Sequence, residues 1–339
     1  MNILITGGAG YIGSHTCIEL LNNGYEVVVA DNYCNSKRTV IDSIKKITGK
    51  NLKNYDCDIR NLEQLDKIFQ ESQIDGVIHF AALKCVPDSI ENPVTYYENN
   101  VSGTINLLKT MDKYRVENLV FSSSATVYGT VNPVPYKEDM PLMATNPYGY
   151  SKIMVEQMIK DFTSAHKAGK AAILRYFNPI GAHKSGLIGE NPEGIPNNLM
   201  PYICQTAAGK RPFLKVCGID YPTKDGTGIR DYIHVCDLAM GHVKALEKLK
   251  NIEGTVIYNL GSGKGTSVYE LIDAFEKTNN IKIDQKIWER RPGDTAESYA
   301  DIYKAQSELN WIPQYSLAEM CLDSWHFIKS NYEMDKMQQ

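Results

Sequence analysis

The 339-residue chain has an ordinary globular composition, with 43% hydrophobic and 22% charged residues. A single hydrophobic core stops growing near ~250–300 residues, so this length predicts two domains. The formal net charge of −4 gives no general field that would attract a polyanion, which argues against nucleic acid as a partner. No apolar run approaches the ~20 residues needed to span a bilayer, so we expect no membrane segment.

Eight cysteines are scattered along the chain without the C-x-x-C spacing of metal or redox sites. Such scattered thiols predict a reduced protein in the cytoplasm. The seven histidines are also dispersed, and no pair has the four-residue spacing of a helical metal site. His79 with Cys85, or His234 with Cys236, could be taken as ligand pairs. Packing at strand ends accounts for them better, and we predict no metal site.

The first half of the chain alternates short β-branched runs with helical patterns. The runs that predict strands are Ile3 to Thr6, Glu26 to Asp31, Leu52 to Asp56, Gly76 to Ala81, Asn118 to Ser122 and Ala171 to Tyr176. The clearest helical patterns extend from Val94 to Lys113 and from Tyr148 to Ala165. This alternation predicts an α/β fold with a doubly wound, Rossmann-type parallel sheet. The first run has no basic segment before it, so it predicts a buried strand and not a signal peptide.

The pattern changes after Phe177 to long loops rich in glycine, proline and asparagine. We therefore predict a Rossmann-type domain over residues 1–177 and a smaller α/β domain over residues 178–339. Thr255 to Leu260 predicts another buried strand, which we expect to return to the first sheet.

A glycine motif from Gly7 to Gly13, with Gly10 between them, directly follows the first strand and opens a helix. Glycines at this spacing let backbone amides and the helix N-terminus approach a pyrophosphate, which predicts a dinucleotide site. Asp31 ends the second strand, where an acidic residue accepts hydrogen bonds from the adenosine ribose. Its carboxylate repels a 2′-phosphate and so favours NAD over NADP, although Lys37 and Arg38 could pair with such a phosphate.

A second motif supplies a candidate base. An asparagine cap followed by proline predicts a helix that starts just before Tyr148, and Lys152 shares a face with it one turn later. A tyrosine that acts as a base near pH 7 must lose ~3 units from its reference pKa of about 10. The lysine ammonium, the helix N-terminus and an oxidised nicotinamide ring are three positive sources that could supply this. Tyr150 is a weaker candidate because Met154, one turn after it, carries no charge.

A hydroxyl-rich segment from Ser122 to Thr126 lies at the carboxyl end of a predicted strand, where open α/β sheets place their ligands. A hydroxyl at Ser124 can bond the substrate's reacting oxygen and relay its proton to the tyrosine. Serine-rich strand ends are also ordinary turn chemistry, and a tyrosine and lysine at helical spacing are common on surfaces. The conjunction makes Ser124, Tyr148 and Lys152 the predicted catalytic centre.

The glycine motif, the segment from Ser124 to Thr126 and the Tyr148/Lys152 pair together resemble the extended short-chain dehydrogenase/reductase family. Within it, the chain is most similar to enzymes that invert the 4-hydroxyl of UDP-hexoses. The runs that carry this similarity are Arg175 to His183, Gly194 to Pro201, Asp225 to Tyr232 and Arg290 to Asp294. The resemblance covers nearly the whole chain. It implies NAD bound by the first domain, a UDP-sugar bound by the second, and a homodimer.

The resemblance also implies which residues bind each ligand. For NAD, besides the glycines, it implies Tyr11, Ile12, Asp31, Asn32, Asn35, Ser36, Asp58, Ile59, Phe80, Ala81, Lys84, Asn99, Ser124, Tyr148, Lys152 and Phe177. For the UDP-sugar it implies Ser124, Thr126, Asn178, Asn198, Leu199, Val216, Cys217, Arg230, Arg291, Asp294 and Ser298. Guanidinium forks match phosphate oxygens, so the two arginines fit a diphosphate. Many relatives have phenylalanine in place of Cys217, whose thiol does not stack on uracil as a ring does.

The reaction that the resemblance implies begins when Tyr148 takes the 4-hydroxyl proton while hydride passes from sugar carbon 4 to NAD. The 4-keto sugar then turns over and takes hydride back on its opposite face, so UDP is held tightly and NAD stays bound. Relatives with tyrosine at the position of Ser298 tend to be restricted to plain hexoses. Ser298 therefore predicts some activity on N-acetylated sugars, unless a one-residue shift lets Tyr299 close the pocket instead.

Two other functions fit parts of the pattern. A nucleotide-sugar 4,6-dehydratase would use the same tyrosine and lysine, but it needs acid and base carboxylates, typically Asp-Glu after the threonine of the strand-end motif. Here Val127 follows Thr126 and offers neither. A non-catalytic NAD-binding regulator would keep the fold but has little reason to hold Ser124, Tyr148 and Lys152 together.

Overall fold

In a computed structural model of the chain, the structure describes residues 1–192, 196–291 and 293–337. Gly194, Ile195 and Pro292, which belong to two of the runs that carry the family resemblance, lie outside the described residues. Within the described ranges, no helix is both long enough and apolar enough to cross a membrane.

The first half of the chain alternates strands and helices. Its strands are β1 (Asn2–Thr6), β2 (Glu26–Asp31), β3 (Lys53–Asp56), β4 (Gly76–His79), β5 (Asn118–Ser124) and β6 (Lys170–Tyr176). Its helices are α1 (Tyr11–Asn22), α2 (Thr39–Thr48), α3 (Leu62–Glu71), α4 (Val86–Glu91), α5 (Pro93–Tyr97), α6 (Gly103–Lys113) and α7 (Pro147–Ala165). A π-helical turn at Glu98–Ser102 joins α5 to α6, and a 3₁₀ turn covers Ala125–Tyr128.

The second half mixes shorter strands with helices. Its strands are β7 (Asn178–Ile180), β8 (Leu214–Cys217), β9 (Ile229–His234), β10 (Gly254–Leu260), β11 (Gly265–Ser267), β12 (Gln285–Trp288) and β13 (Glu297–Ser298). Its helices are α8 (Leu199–Ala207), α9 (Val235–Lys248), α10 (Val268–Asn279), α11 (Tyr303–Leu309) and α12 (Leu317–Met337). A 3₁₀ turn at Leu249–Asn251 follows α9.

One parallel sheet organises the described part of the chain, with seven strands in the order β10-β6-β5-β4-β1-β2-β3. Strand β1 shows why helices cover both faces. Ile3 and Ile5 pack with α1, α2 and α9 on one face, and Leu4 packs with α3, α6 and α7 on the other. A strand buried on both faces must be apolar at consecutive positions. The predicted doubly wound, Rossmann-type sheet is confirmed.

The second half of the chain contributes to this sheet as well. Strand β10 pairs in parallel with β6, from Gly254 beside Lys170 to Leu260 beside Tyr176. Helix α9 packs against α1 on one face of the sheet. The segment at 255–260 therefore lies at the sheet edge, and the domain boundary after Phe177 stays a prediction.

The remaining elements form a smaller α/β layer. Strand β9 pairs with β7, β11 and β13, and β8 pairs with β12. Met200 of α8, Phe275 of α10 and Met320 of α12 pack in a core of their own. This layer lies where the chain continues from the carboxyl ends of β6 and β10, so its loops border the edge of the large sheet at which Rossmann folds bind ligands.

Candidate active site

The glycine motif lies where the strand order of the large sheet reverses. Strand β1 lies between β2 and β4, and open α/β sheets bind ligands in the crevice at such a reversal. A Cβ on Gly13 would lie 2.3 Å from the Gly7 carbonyl oxygen, and one on Gly7 would lie 2.8 Å from the Ala81 amide nitrogen. Gly10 is the N-cap residue of α1 and, as a glycine, has no side chain to bond the first amides of the helix. The turn therefore presents the helix N-terminus to an anion, which fits a dinucleotide pyrophosphate.

Asp31 ends β2 beside this turn. Its carboxylate accepts hydrogen bonds from the Ala9 amide at 2.9 Å and from the Ser36 hydroxyl at 3.1 Å. Arg38, which could have paired with a 2′-phosphate, is instead paired with Asp56. This arrangement supports NAD over NADP.

The other predicted NAD residues follow the carboxyl ends of neighbouring parallel strands, which meet at one edge of the sheet. These residues are Asn32, Asn35 and Ser36 after β2, Asp58 and Ile59 after β3, Phe80, Ala81 and Lys84 after β4, and Phe177 after β6. Tyr11 and Ile12 begin α1, and Asn99 lies on the π-helical turn. The side-chain amide of the next residue, Asn100, donates to the Ser151 hydroxyl at 3.0 Å, which joins the π-helical turn to α7.

Ser124 and Tyr148 meet because two local caps place them. Ser124 is the last residue of β5. Its hydroxyl accepts hydrogen bonds from the Thr126 amide at 3.2 Å and from the Thr126 hydroxyl at 3.0 Å. The Asn146 side chain caps α7 by accepting from the Gly149 amide at 2.9 Å, so Tyr148 lies in the first turn. The Ser124 side chain interacts with the Tyr148 hydroxyl and lowers its pKa, against the effect of burial. A proton can therefore pass between them.

Lys152 lies one turn after Tyr148 and is buried. Its ammonium donates to the Ser122 carbonyl oxygen at 2.7 Å, and its nitrogen lies 5.9 Å from the centre of the Tyr148 ring. Glu156, one turn further along α7, forms a buried ion pair with Arg175 at 2.6 Å. The predicted Ser124, Tyr148 and Lys152 are thus together in one place.

Burial dominates the titration of the tyrosine and the lysine. Burial raises the pKa of Tyr148, against the Ser124 hydrogen bond, which lowers it. Burial also lowers the pKa of Lys152 to about 7, against the Glu156 carboxylate, which raises it. The side chains alone therefore leave the pKa of Tyr148 above its usual value. A basic Tyr148 would therefore require further positive charge beside it, which an oxidised nicotinamide ring would supply.

The two predicted diphosphate arginines meet at one carboxylate, and we call Arg230, Arg291 and Asp294 the arginine cluster. The Nε of Arg291 donates to Asp294 Oδ2 at 3.0 Å, and Nη2 of Arg230 lies 3.5 Å from Asp294 Oδ1. Arg291 also donates to the Asn197 carbonyl oxygen at 3.4 Å. Ser298 pairs with Arg230 between β13 and β9, so it lies beside the cluster.

Four further predicted substrate residues lie at the ends of elements in the smaller layer. Asn178 begins β7, Leu199 begins α8, and Val216 and Cys217 end β8. Cys217 pairs with Trp288 of β12, three residues before Arg291 of the arginine cluster. The Cys217 thiol donates a long hydrogen bond to the Lys215 carbonyl oxygen, at 4.0 Å.

Glu190 was not predicted from the sequence, yet it joins the two sets of predicted ligands. One of its carboxylate oxygens accepts from the Asn198 side chain at 2.9 Å and from the Lys84 ammonium at 3.3 Å. Asn198 belongs to the predicted UDP-sugar residues and Lys84 to the predicted NAD residues. Glu190 stands in an irregular loop, where no periodic pattern or motif spacing marks it.

Tyr136 is a second residue that the sequence did not indicate. Its side chain interacts with that of Ser298, and its hydroxyl donates to the Gly129 carbonyl oxygen at 3.4 Å. The neighbouring Tyr299 turns its ring toward β11, where a Cβ on Gly265 would lie 3.1 Å from that ring. The Ser298 hydroxyl, and not the Tyr299 ring, thus lies beside Tyr136.

The described residues contain no group of three or more His, Cys, Asp or Glu side chains that could hold a metal ion.

A family model described as GDP-mannose 4,6 dehydratase matches residues 4–324. A UDP-glucose 4-epimerase of Bacillus subtilis (strain 168) is 56% identical over 331 residues, which cover 98% of each chain.

Solved structures that are similar to this chain are also UDP-glucose 4-epimerases. A UDP-glucose-4-epimerase from Stenotrophomonas maltophila, with bound NAD and formylated UDP-arabinopyranose, superposes with a TM-score of 0.96 and 48% identity over 98% of this chain and 99% of that one. The UDP-Glc/GlcNAc 4-epimerase from Campylobacter jejuni superposes with a TM-score of 0.85 and 36% identity over 97% of this chain and 99% of that one.

Proposed function

The chain belongs to the extended short-chain dehydrogenase/reductase family, among the UDP-glucose 4-epimerases, and from that membership we propose that it inverts the 4-hydroxyl of UDP-glucose and UDP-galactose. One observation in the structure supports the proposal independently of family membership. Tyr148 is buried beside Ser124 and Lys152, with the Lys152 nitrogen 5.9 Å from its ring centre, which is the arrangement needed to take a proton from a sugar hydroxyl.

The residues divide the reaction between them. Tyr148 removes and returns the 4-hydroxyl proton, and Ser124 holds the reacting oxygen and relays the proton. The Lys152 ammonium, fixed by the Ser122 carbonyl oxygen, favours the phenolate. Arg230 and Arg291 anchor the diphosphate, so that the hexose can present either face of carbon 4 to the same base.

The glycine turn, Asp31 and the residues after β2, β3 and β4 would hold NAD. When bound, NAD supplies the hydride acceptor and donor and the positive charge beside Tyr148. Because the reaction regenerates the cofactor in each cycle, its site has no need to release it.

Tight retention of NAD can be tested on the purified protein. We expect the cofactor to remain bound through gel filtration, because turnover regenerates it and the reaction does not require its release. The protein is then denatured and the supernatant is analysed for nicotinamide nucleotides. A supernatant free of nicotinamide nucleotide would contradict the expectation.

The function itself is tested by a coupled assay on four substrates: UDP-glucose, UDP-galactose and their N-acetylated forms. We expect interconversion of UDP-glucose and UDP-galactose. A protein that binds NAD but turns over none of the four would be the NAD-binding regulator instead.

The dehydratase reaction is the second candidate, because the matching family model is described by that activity. The positions after Thr126 argue against it, since Val127 and Tyr128 are both fully buried and carry no carboxylate. Glu156, one turn beyond Lys152, is held by Arg175. Formation of a 4-keto-6-deoxy sugar from UDP-glucose, followed by mass spectrometry, would favour the dehydratase over the epimerase.

Specificity is expected to depend on Ser298. We expect wild type to epimerise UDP-N-acetylglucosamine, and Ser298→Tyr to lower kcat/KM for this substrate at least ~10-fold with a smaller effect on UDP-galactose. A ring beside Tyr136 would meet the N-acetyl group, and packed sites resist added volume. Ser298→Ala, which removes the hydroxyl but adds no volume, is the control. The gate lies elsewhere if wild type rejects the N-acetylated sugar while it epimerises UDP-galactose, or if the tyrosine variant loses nothing.

Two finer assignments complete the proposal. All eight cysteines are free thiols, which suits a reducing cytoplasm.

Helices α4, α5 and α7 pack together and leave Ile90, Val94 and Met154 exposed, at 56%, 76% and 45%. We propose that this apolar face is buried in a homodimer. Light scattering should give the mass of two chains for wild type and of one chain for Val94→Lys, and a monomeric wild type would contradict the assignment.

A further inference from the structure

A tyrosine outside the predicted set lies beside the arginine cluster. Tyr221 stands in the loop between β8 and β9 and is 6% exposed. Its hydroxyl is buried, and none of the residues that the structure describes hydrogen-bonds to it. Native folds pair nearly all such groups, so an unpaired one requires an explanation such as a bound ligand.

The loop holds the Tyr221 ring in one place. The Tyr221 amide donates to the Gly226 carbonyl oxygen at 2.9 Å, which closes the loop. The ring packs against Gly218, where a Cβ would come within 2.7 Å of it. The Arg290 guanidinium stacks 4.1 Å from the ring centre and is itself held by Asp220 at 2.7 Å. The hydroxyl cannot turn away to find another partner without breaking these contacts.

The surroundings of this hydroxyl favour an anion. Arg290, which stacks on the Tyr221 ring, directly precedes Arg291 of the arginine cluster, and Tyr221 also interacts electrostatically with Asp294, Arg230 and Arg291. Both Asp294 oxygens are already engaged by the two arginines. A phenol hydroxyl among guanidinium groups is a donor whose strongest acceptor is an anionic oxygen, because charge-assisted hydrogen bonds are the stronger ones.

We propose that Tyr221 is a substrate-binding residue whose hydroxyl donates a hydrogen bond to the diphosphate of the UDP-sugar. This assignment rests on the proposed function, since it takes the arginine cluster to be the diphosphate site. The closed loop fixes the donor before the ligand arrives, so little conformational freedom is lost on binding.

The test is Tyr221→Phe, which removes the hydroxyl and keeps the ring. Titration calorimetry of the NAD-loaded protein should show UDP bound about 10-fold or more weakly by the variant, because the lost bond is to a charged group. Uridine, which has no phosphate, should bind equally to both proteins. Without UDP, the thermal unfolding midpoint of the variant should equal or exceed that of wild type.

A matched variant calibrates the stability measurement. Tyr128→Phe removes a buried hydroxyl that donates to Asn259 at 2.6 Å, so its unfolding midpoint should fall. If wild type binds UDP and Tyr221→Phe binds it equally well, the proposal is overturned while the proposed function stands. Equal weakening for UDP and uridine, or a fall in the midpoint like that of Tyr128→Phe, also overturns it. A wild type that does not bind UDP would overturn the proposed function together with the proposal.

Discussion

Tyr148→Phe is expected to lower kcat for UDP-galactose epimerisation by about 10²–10⁴-fold, the range for loss of a positioned acid or base. The substitution removes only the hydroxyl, which interacts with Ser124. The ring and its buried packing remain, so NAD should still copurify with the variant. Steady-state kinetics and the amount of nicotinamide nucleotide released on denaturation measure the two effects separately.

Tyr150→Phe is the matched control for this experiment. Tyr150 lies in the same turn of α7 but is 42% exposed, so loss of its hydroxyl should leave turnover close to wild type. Near wild-type turnover in Tyr148→Phe would remove Tyr148 from the role of base. An equal loss in both variants would point to a general disturbance of α7 and not to lost proton transfer.

Glu156→Ala is expected to destabilise the protein by about 3–5 kcal/mol, because removal of one partner of a buried ion pair leaves the other charge unpaired. The Arg175 guanidinium donates to both Glu156 oxygens, at 2.9 Å and 2.6 Å, and both side chains are about 1% exposed. The same carboxylate accepts from the Ser123 hydroxyl at 2.5 Å. The midpoint of urea unfolding, measured at a fixed NAD concentration, reports the loss.

Glu247→Ala provides the comparison for that measurement. Glu247 pairs with Lys244 at 3.0 Å on α9, but both side chains are more than a third exposed, so its loss should cost no more than ~1 kcal/mol. Similar small losses for the two variants would show that the buried pair contributes little. Replacement of both members by apolar residues of similar volume should recover much of the stability that Glu156→Ala loses.

The parts of the site that could be predicted from the sequence are local. The glycine motif occupies one turn, and Tyr148 and Lys152 lie on adjacent turns of one helix, so spacing alone relates them. The bounds of β1, β2, β4, β5 and β6 agree with the prediction within a few residues because these strands are buried and read as continuous apolar runs. The single helix predicted from Val94 to Lys113 is divided by the π-helical turn. Periodicity does not reveal this division, because one wider turn barely changes the apolar pattern.

The parts that could not be predicted depend on contacts between distant segments. Asp231 accepts hydrogen bonds from the amides of Ser262, Gly263 and Ala300, and so it fixes two loops beside the neighbouring Arg230. Glu190 and Tyr136 act in the same way, through partners far along the chain. No local pattern encodes such contacts, because each depends on the tertiary fold.

The position of β10 also governs how the chain can be made. During synthesis β6 leaves the ribosome with one side unpaired, and it stays so until Leu260 has been added and β10 can dock beside it. Unpaired strand edges are templates for association with other chains. A fragment that stops at residue 177 would leave the edge of β6 unpaired. It would also lack α9, which packs against α1. The first half of the chain is therefore not a module that could be detached and reused alone, since the last strand of its sheet is encoded in the other half.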